Sequence, residues 1–142
     1  MNKEQLRNQL DKHRSLVISI YNKADLLNVL NEKMYRIGGS VIQPLGTDPD
    51  RLINNLQIID DIQAEIECLD NQRRAEKGQL SKLSDQLQSN LQRRIIEAYY
   101  YCGLPWDETA KLVYQRAHKT DRKACREARE RAIIEMVKMK TS

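Results

Sequence analysis

The chain has no phenylalanine, and its six tyrosines and one tryptophan make only 5% of 142 residues aromatic. So few large flat side chains cannot fill a thick core, which argues against a packed sheet. Glycine and proline are also scarce, at five and three residues. Few turns are therefore encoded, and an all-α architecture of long helices with thin Leu/Ile seams is expected. The three cysteines, Cys68, Cys102 and Cys125, are odd in number, far apart and without a C-x-x-C pair. They argue against a disulfide frame or a zinc site and read as reduced thiols of a cytoplasmic protein. No apolar run approaches the roughly 18 residues that span a bilayer, and Met1-Asn-Lys-Glu-Gln5 carries no apolar signal core. A soluble intracellular protein with no membrane partner is the resulting expectation. Histidine occurs twice, as His13 and His118, and there is no Gly-rich phosphate loop, H-E-x-x-H or G-x-S-x-G pattern. Carboxylates are scattered over predicted solvent faces, so neither enzymatic activity, nor a cofactor, nor a metal is expected.

What the chain does have is charge, unevenly placed. Charged residues make up 31% and the formal net charge is +4. From Lys111 onward ten Lys/Arg face four acids, a net of +6, which leaves the first 110 residues at −2. A positive excess confined to one end is the asymmetry of a nucleic-acid-binding segment.

The length suits one domain or two small ones around a modest core. Over residues 3–36, Leu6, Leu10, Val17, Ile20, Ala24, Leu27 and Met34 recur at steps of three, four and seven, one stripe on a long helix. His13 and Asn31 interrupt that stripe, and His13 reads as a packed or register-setting residue. Gly38-Gly39 should end the helix, a loop should cover 38–48, and Asp48-Pro49-Asp50 should start the next helix with Asp48 as N-cap. A heptad then runs through Ile59, Ile66, Arg73, Leu80 and Leu87, with Ile62, Leu69, Glu76 and Leu83 three residues after each. It weakens at Arg73, Glu76 and Gly78, where the helix bends or a short turn divides it. A bend is favoured, since one helical Gly costs only about 1 kcal/mol against Ala. Residues 1–90 thus read as a long helical hairpin or coiled coil, with the seam either within one chain or between two copies.

Residues 91–142 read as a separate module. Leu91, Ile95, Ile96, Ala98 and Tyr99 line a helix ending near Cys102, and Gly103 supplies a turn. A short helix follows, with Pro105, Asp107 and Glu108 in its first turn and Trp106, Ala110 and Val113 on its packed face. The last helix should begin at Thr120 as N-cap and run to about Met139. At about 100° per residue, Ala124, Cys125, Ala128, Ala132, Met136 and Met139 fall on one side. Lys119, Arg122, Lys123, Arg126 and Arg129 fall on the other, near a helix N-terminus that also favours phosphate. Two short helices joined by a turn, the second one basic, is how side chains are placed in a DNA major groove. Arg122, Arg126 and Lys123 are assigned to base edges, and Arg116, Lys119 and Arg129 to phosphates. His118 is assigned to the turn. Ile133, Ile134 and Val137 fall off the packed side, a contact for a partner chain.

The run Tyr100-Tyr-Cys-Gly-Leu-Pro-Trp-Asp-Glu-Thr-Ala110 resembles the tyrosine–x–x–glycine–leucine–serine–tryptophan–glutamate–glutamate–isoleucine–alanine pattern of sigma-factor region 4-like helix-turn-helix domains. The whole layout resembles small phage and prophage regulators of Gram-positive hosts, among them late-gene activators. Pro105 stands where that pattern has Ser, and the turn before Thr120 reads as several residues longer than the common form. The resemblance implies sequence-specific binding of double-stranded DNA near a promoter, with RNA polymerase as a further candidate partner and a homodimer as a candidate assembly. Two other functions fit the same features. One is a phage DNA-packaging protein of the small terminase type. The other is a helical adaptor whose partner is RNA polymerase or a host protein.

Overall fold

A computed structural model describes residues 1–39 and 49–141, with side chains described for 1–33 and 53–140. All regular structure among these residues is helical: α1 Lys3–Gly39, α2 Pro49–Ser84, α3 Asn90–Ile96, a π-helical turn Glu97–Tyr101, α4 Trp106–Tyr114 and α5 Lys119–Thr141. None of the described helices is long and apolar enough to cross a membrane. Two compact units form, Met1–Ile18 with Arg73–Ser142, and Ser19–Gln72. These packing units cut across the expected segments 1–90 and 91–142, because both the start of α1 and the end of α2 pack with the C-terminal helices.

Local signals account for the helix ends. At the start of α1, the Gln5 amide donates to Asn2 Oδ1 at 2.8 Å and the Asn2 amide to Gln5 Oε1 at 3.0 Å, a reciprocal capping box. The α1 helix is described to Gly39, so the glycine pair where a stop was expected forms its C-terminal end. The expected N-cap Asp48 lies outside the described residues. The α2 helix passes through Gly78 unbroken but stops at Ser84, so Leu87 of the heptad sits in a following turn and not on the helix. The Asp85, Gln86 and Leu87 amides donate back to Ser81, Leu83 and Ser84 carbonyls, tightening that turn. Ser89 then caps α3, its Oγ accepting from the Gln92 amide at 3.3 Å. Ser84 turns its hydroxyl inward to the Tyr101 hydroxyl at 2.7 Å, and burial pushes the Tyr101 phenol up to about 12 against that hydrogen bond.

The core of the larger unit has two parts, both crossed by α5. Leu6 and Leu10 of α1, Leu80 of α2, Leu87, Ile96, Tyr100, Tyr101 and the α5 residues Ala132, Ile133 and Met136 form one. Ile95, Ala110, Cys125 and Ala128 form the other, with Leu91, Trp106 and Val113 packed on it. Fully buried Ala128 and Ala132 let neighbouring backbones come close to α5. Ile133 is also fully buried and Val137 packs on the first cluster, so neither lies off the packed side; Ile134 alone of that trio is exposed. The π turn, closed by the Cys102 amide on the Glu97 carbonyl at 2.9 Å, brings Ala98, Tyr100 and Tyr101 inside together. His13 is fully buried, with Nδ1 3.2 Å from Glu76 Oε2 and its ring edge-on to Tyr101. Its packed role matches the reading from the stripe. In the smaller unit Ile59 and Ile62 are buried and Lys23 pairs with Glu65 at 2.7 Å.

Glu130 of α5 ties the start of α1 in place. It accepts from Lys3 at 2.8 Å, from Arg7, and from Arg129 at 3.2 Å. Partial burial opposes its ionisation, but the Lys3 hydrogen bond and the Arg7, Lys3 and Arg129 charges outweigh it and hold the carboxyl below its usual range. A folded-state pKa lower than the unfolded value of about 4.3 contributes stability above that value and loses it as pH falls through the folded one. Glu130→Gln is therefore expected to lower the denaturation midpoint at pH 7, with a smaller gap to wild type at a pH below the usual carboxylate range. Urea melts at both pH values check this, and an equal gap at each would remove charge as the source. A second prediction concerns Gly78, around which an added Cβ meets nothing within 4 Å. Gly78→Ala is expected to stabilise by about 0.5–1 kcal/mol through helix propensity, read as a higher denaturation midpoint at unchanged slope.

Candidate nucleic-acid interface

The candidate interface lies on α4 and α5, and its geometry begins with the turns that orient them. Gly103 adopts φ 71°, a left-handed conformation that only glycine takes cheaply, and the Leu104 amide returns to the Ala98 carbonyl at 3.0 Å. Pro105, extended at φ −69°, ψ 167°, occupies the N-cap position of α4 without a side-chain cap. Thr109 instead donates its hydroxyl to the Pro105 carbonyl at 3.0 Å. At the other end Gln115 is left-handed at φ 61° and closes α4 on the Lys111 carbonyl. The connection to α5 is Gln115–His118, four residues, so the turn is not longer than the three to four residues common between such helices. The α5 helix begins at Lys119, one residue before Thr120, which is not its cap. The Asp121 and Arg122 amides both donate to the His118 carbonyl, and Asp121 Oδ2 accepts from the His118 amide at 3.2 Å. Asp121 is thus a buried N3 cap, 5% exposed, and not a solvent-facing acid.

The six cations named from sequence do not share one environment. Lys119, Lys123 and Arg126 are exposed, spaced four and three apart along one stripe of α5. Lys123 and Arg126 make no ion pair or hydrogen bond among the described residues. Arg116 is 65% exposed and pairs with Asp121 at 3.1 Å, at the start of the same helix. Arg122 is only 33% exposed: its Nη1 donates to the Ala117 carbonyl at 2.9 Å and lies 3.1 Å from Asp107 Oδ1 on α4. Arg129 is turned away from this group and is 19% exposed. Its guanidinium lies 5.1 Å from the centre of the Trp106 ring, which stacks on Tyr99 at 3.9 Å. On Tyr99 sits Arg14, 4.2 Å from the ring centre, with Nε donating to the Tyr99 carbonyl and Nη2 to the Leu104 carbonyl. Trp106 is therefore a packed side chain, as its spacing with Ala110 and Val113 predicts, and the same packing takes Arg129 out of the exposed stripe.

Sequence reasoning missed Asp107 and Arg14 as part of this arrangement. Asp107 was visible only as a helix-dipole acid; its spacing to Arg122 crosses a turn, where helical periodicity carries no information. Burial raises the Cys125 thiol, so that side chain behaves as a small apolar residue of the α4–α5 contact. Among the described residues no group of His, Cys, Asp and Glu could hold a metal ion.

Different consequences follow for neighbouring cations. Arg129→Ala removes a desolvated cation–π contact and is expected to destabilise by about 1–2 kcal/mol, with a red shift of the sole tryptophan's emission. Arg126→Ala is expected to stay within about 0.5 kcal/mol of wild type and leave the emission unchanged. Denaturant melts with fluorescence detection measure both, and equal effects of the two substitutions would contradict the assignment.

Compared with known proteins, the chain matches no family model, no curated protein and no solved structure.

Proposed function

We propose that the protein is a sequence-specific DNA-binding transcriptional regulator of the phage late-gene activator type, in which α4, the four-residue turn and α5 act as a helix-turn-helix. One observation carries this reading: an exposed stripe of Lys119, Lys123 and Arg126 opens at the N-terminus of α5, directly after that turn. The N-terminal residues of the second helix are those that reach base edges in such motifs. Lys119, Lys123 and Arg116 supply phosphate contacts, Arg126 and Arg122 read bases, and Arg129 holds the fold. Within residues 1–90, the long helices α1 and α2 are the segment that joins two copies; RNA polymerase is the partner a promoter-bound activator would contact.

A second reading, a helical adaptor for a protein partner, is favoured by Ser19–Gln72. That unit exposes Tyr21, Leu26, Val29, Ile53, Leu56 and Ile58. It holds nine acids against four cations, a net of −5, leaving the other unit at +9 of the total +4. A DNA-packaging role predicts duplex binding without a consensus and a ring-shaped oligomer.

Selection of duplexes from a random pool by the full-length protein, with its mass measured in the same buffer, separates these. A consensus is expected, bound more weakly as salt rises. Arg122→Ala with Arg126→Ala is expected to weaken binding to it by at least about tenfold, while Lys119→Ala lowers the salt slope by about one. Binding by the double variant as tight as wild type would move the interface elsewhere, and no duplex binding at low salt would leave the adaptor reading in front.

A further inference from the structure

The contacts of Arg122 deepen the DNA-binding reading and rest on it. Arg122 leaves α5 in its first turn, yet only a third of its side chain is open to solvent. Both of its protein contacts fall on one nitrogen: Nη1 reaches the Ala117 carbonyl at 2.9 Å and Asp107 Oδ1 at 3.1 Å. Among the described residues no hydrogen bond takes Nε or Nη2. A guanidinium has five donors in a fixed plane; the Nη1 hydrogen bond to Ala117 and the ion pair with Asp107 restrain it on one side and leave the Nε–Nη2 edge unclaimed. That edge is one that pairs bidentately with a planar two-acceptor group such as guanine O6/N7. The pose comes from two elements, since Asp107 belongs to the first turn of α4 and Ala117 to the connection into α5. Asp107 is 64% exposed, beside a face otherwise rich in cations. An acid there lowers the attraction for any phosphate backbone, so its position works against affinity.

We infer that Asp107 is a specificity-determining residue: it pre-orients Arg122 for base reading and lowers sequence-independent attraction to DNA. It is a positioning residue, acting through Arg122 and not by touching a base. Freezing a long, rotamer-rich side chain before binding removes an ordering cost from the correct complex. Repulsion of phosphates by the same carboxylate acts on all complexes alike.

The test uses the full chain and the consensus duplex recovered by selection, beside a scrambled duplex of equal length. Asp107→Asn is expected to tighten binding to the scrambled duplex, with a steeper salt dependence, while the ratio of consensus to scrambled affinity falls about two- to tenfold. In an Arg122→Ala background the same Asp107→Asn change is expected to leave that ratio unmoved, because the side chain it positions is gone. Arg122→Lys keeps the charge without the planar edge and is expected to lower the ratio while retaining scrambled-duplex affinity. Thermal melts and tryptophan emission of each variant establish that the fold persists. If Asp107→Asn tightens both duplexes equally, Asp107 is only a repulsive charge and the inference is overturned. It is also overturned if Asp107→Asn alters the ratio as much without Arg122. Wild-type binding with no preference between duplexes overturns it while leaving DNA binding in place, whereas no duplex binding at all overturns the functional reading beneath it.

Discussion

Tyr99 and Trp106 lie nearly parallel at 3.9 Å, with Arg14 over the Tyr99 ring and Arg129 beside the Trp106 ring. Four elements meet there: α1, the π turn, α4 and α5. In a chain with seven aromatic residues, this stack provides much of the flat apolar area available to orient helices. A guanidinium near each ring satisfies the electron-rich ring faces and shields them with its alkyl stem. At this stack Trp106 of α4 meets Arg129 of α5, beside the Ala110, Cys125 and Ala128 packing that joins the two helices.

The same arrangement divides cations that look equivalent on a helical wheel. Arg129 faces an aromatic ring, Arg122 spans a turn, and Lys123 and Arg126 face solvent. Charge content alone would count them together. Their environments separate fold stability from surface electrostatics within ten residues of sequence, so net charge is a poor guide to which side chain touches a ligand.

Much of the helical layout was legible, and the reasons are physical. The stripe Leu6, Leu10, Val17 and the heptad around Ile59, Ile62 and Leu80 repeat with the period of the helix, and these residues are buried. Trp106 and Ala110 likewise followed from spacing. What escaped the reading depends on contacts between distant residues or on single-residue backbone states. Arg129 is partly buried because an aromatic pair lies beneath it, which no pattern of charges reveals. Gln115 ends α4 in a left-handed conformation without the glycine that would have marked it, and the turn therefore looked longer than it is. The α2 helix stops at Ser84 without a Gly or Pro; the readable sign was Ser89 followed by Gln92, a capping pattern for the next helix. Asp121 carries a signal of its own, since an Asp three residues after a helix-start position is a recognisable cap.

The tyrosine-rich π turn has one more consequence. By widening the helix, it sets the Tyr99 carbonyl where Arg14 of α1 accepts the role of donor, and it places Tyr100 in the same cluster as Leu6 and Leu10. The C-terminal helices therefore do not form a self-sufficient cassette. A fragment starting near residue 91 would carry Ile96, Tyr100, Ile133 and Met136 with their N-terminal cover missing. The scaffold of the exposed α5 face is written at both ends of the chain, and transplanting that face to another protein would require carrying residues from the first helix along with it.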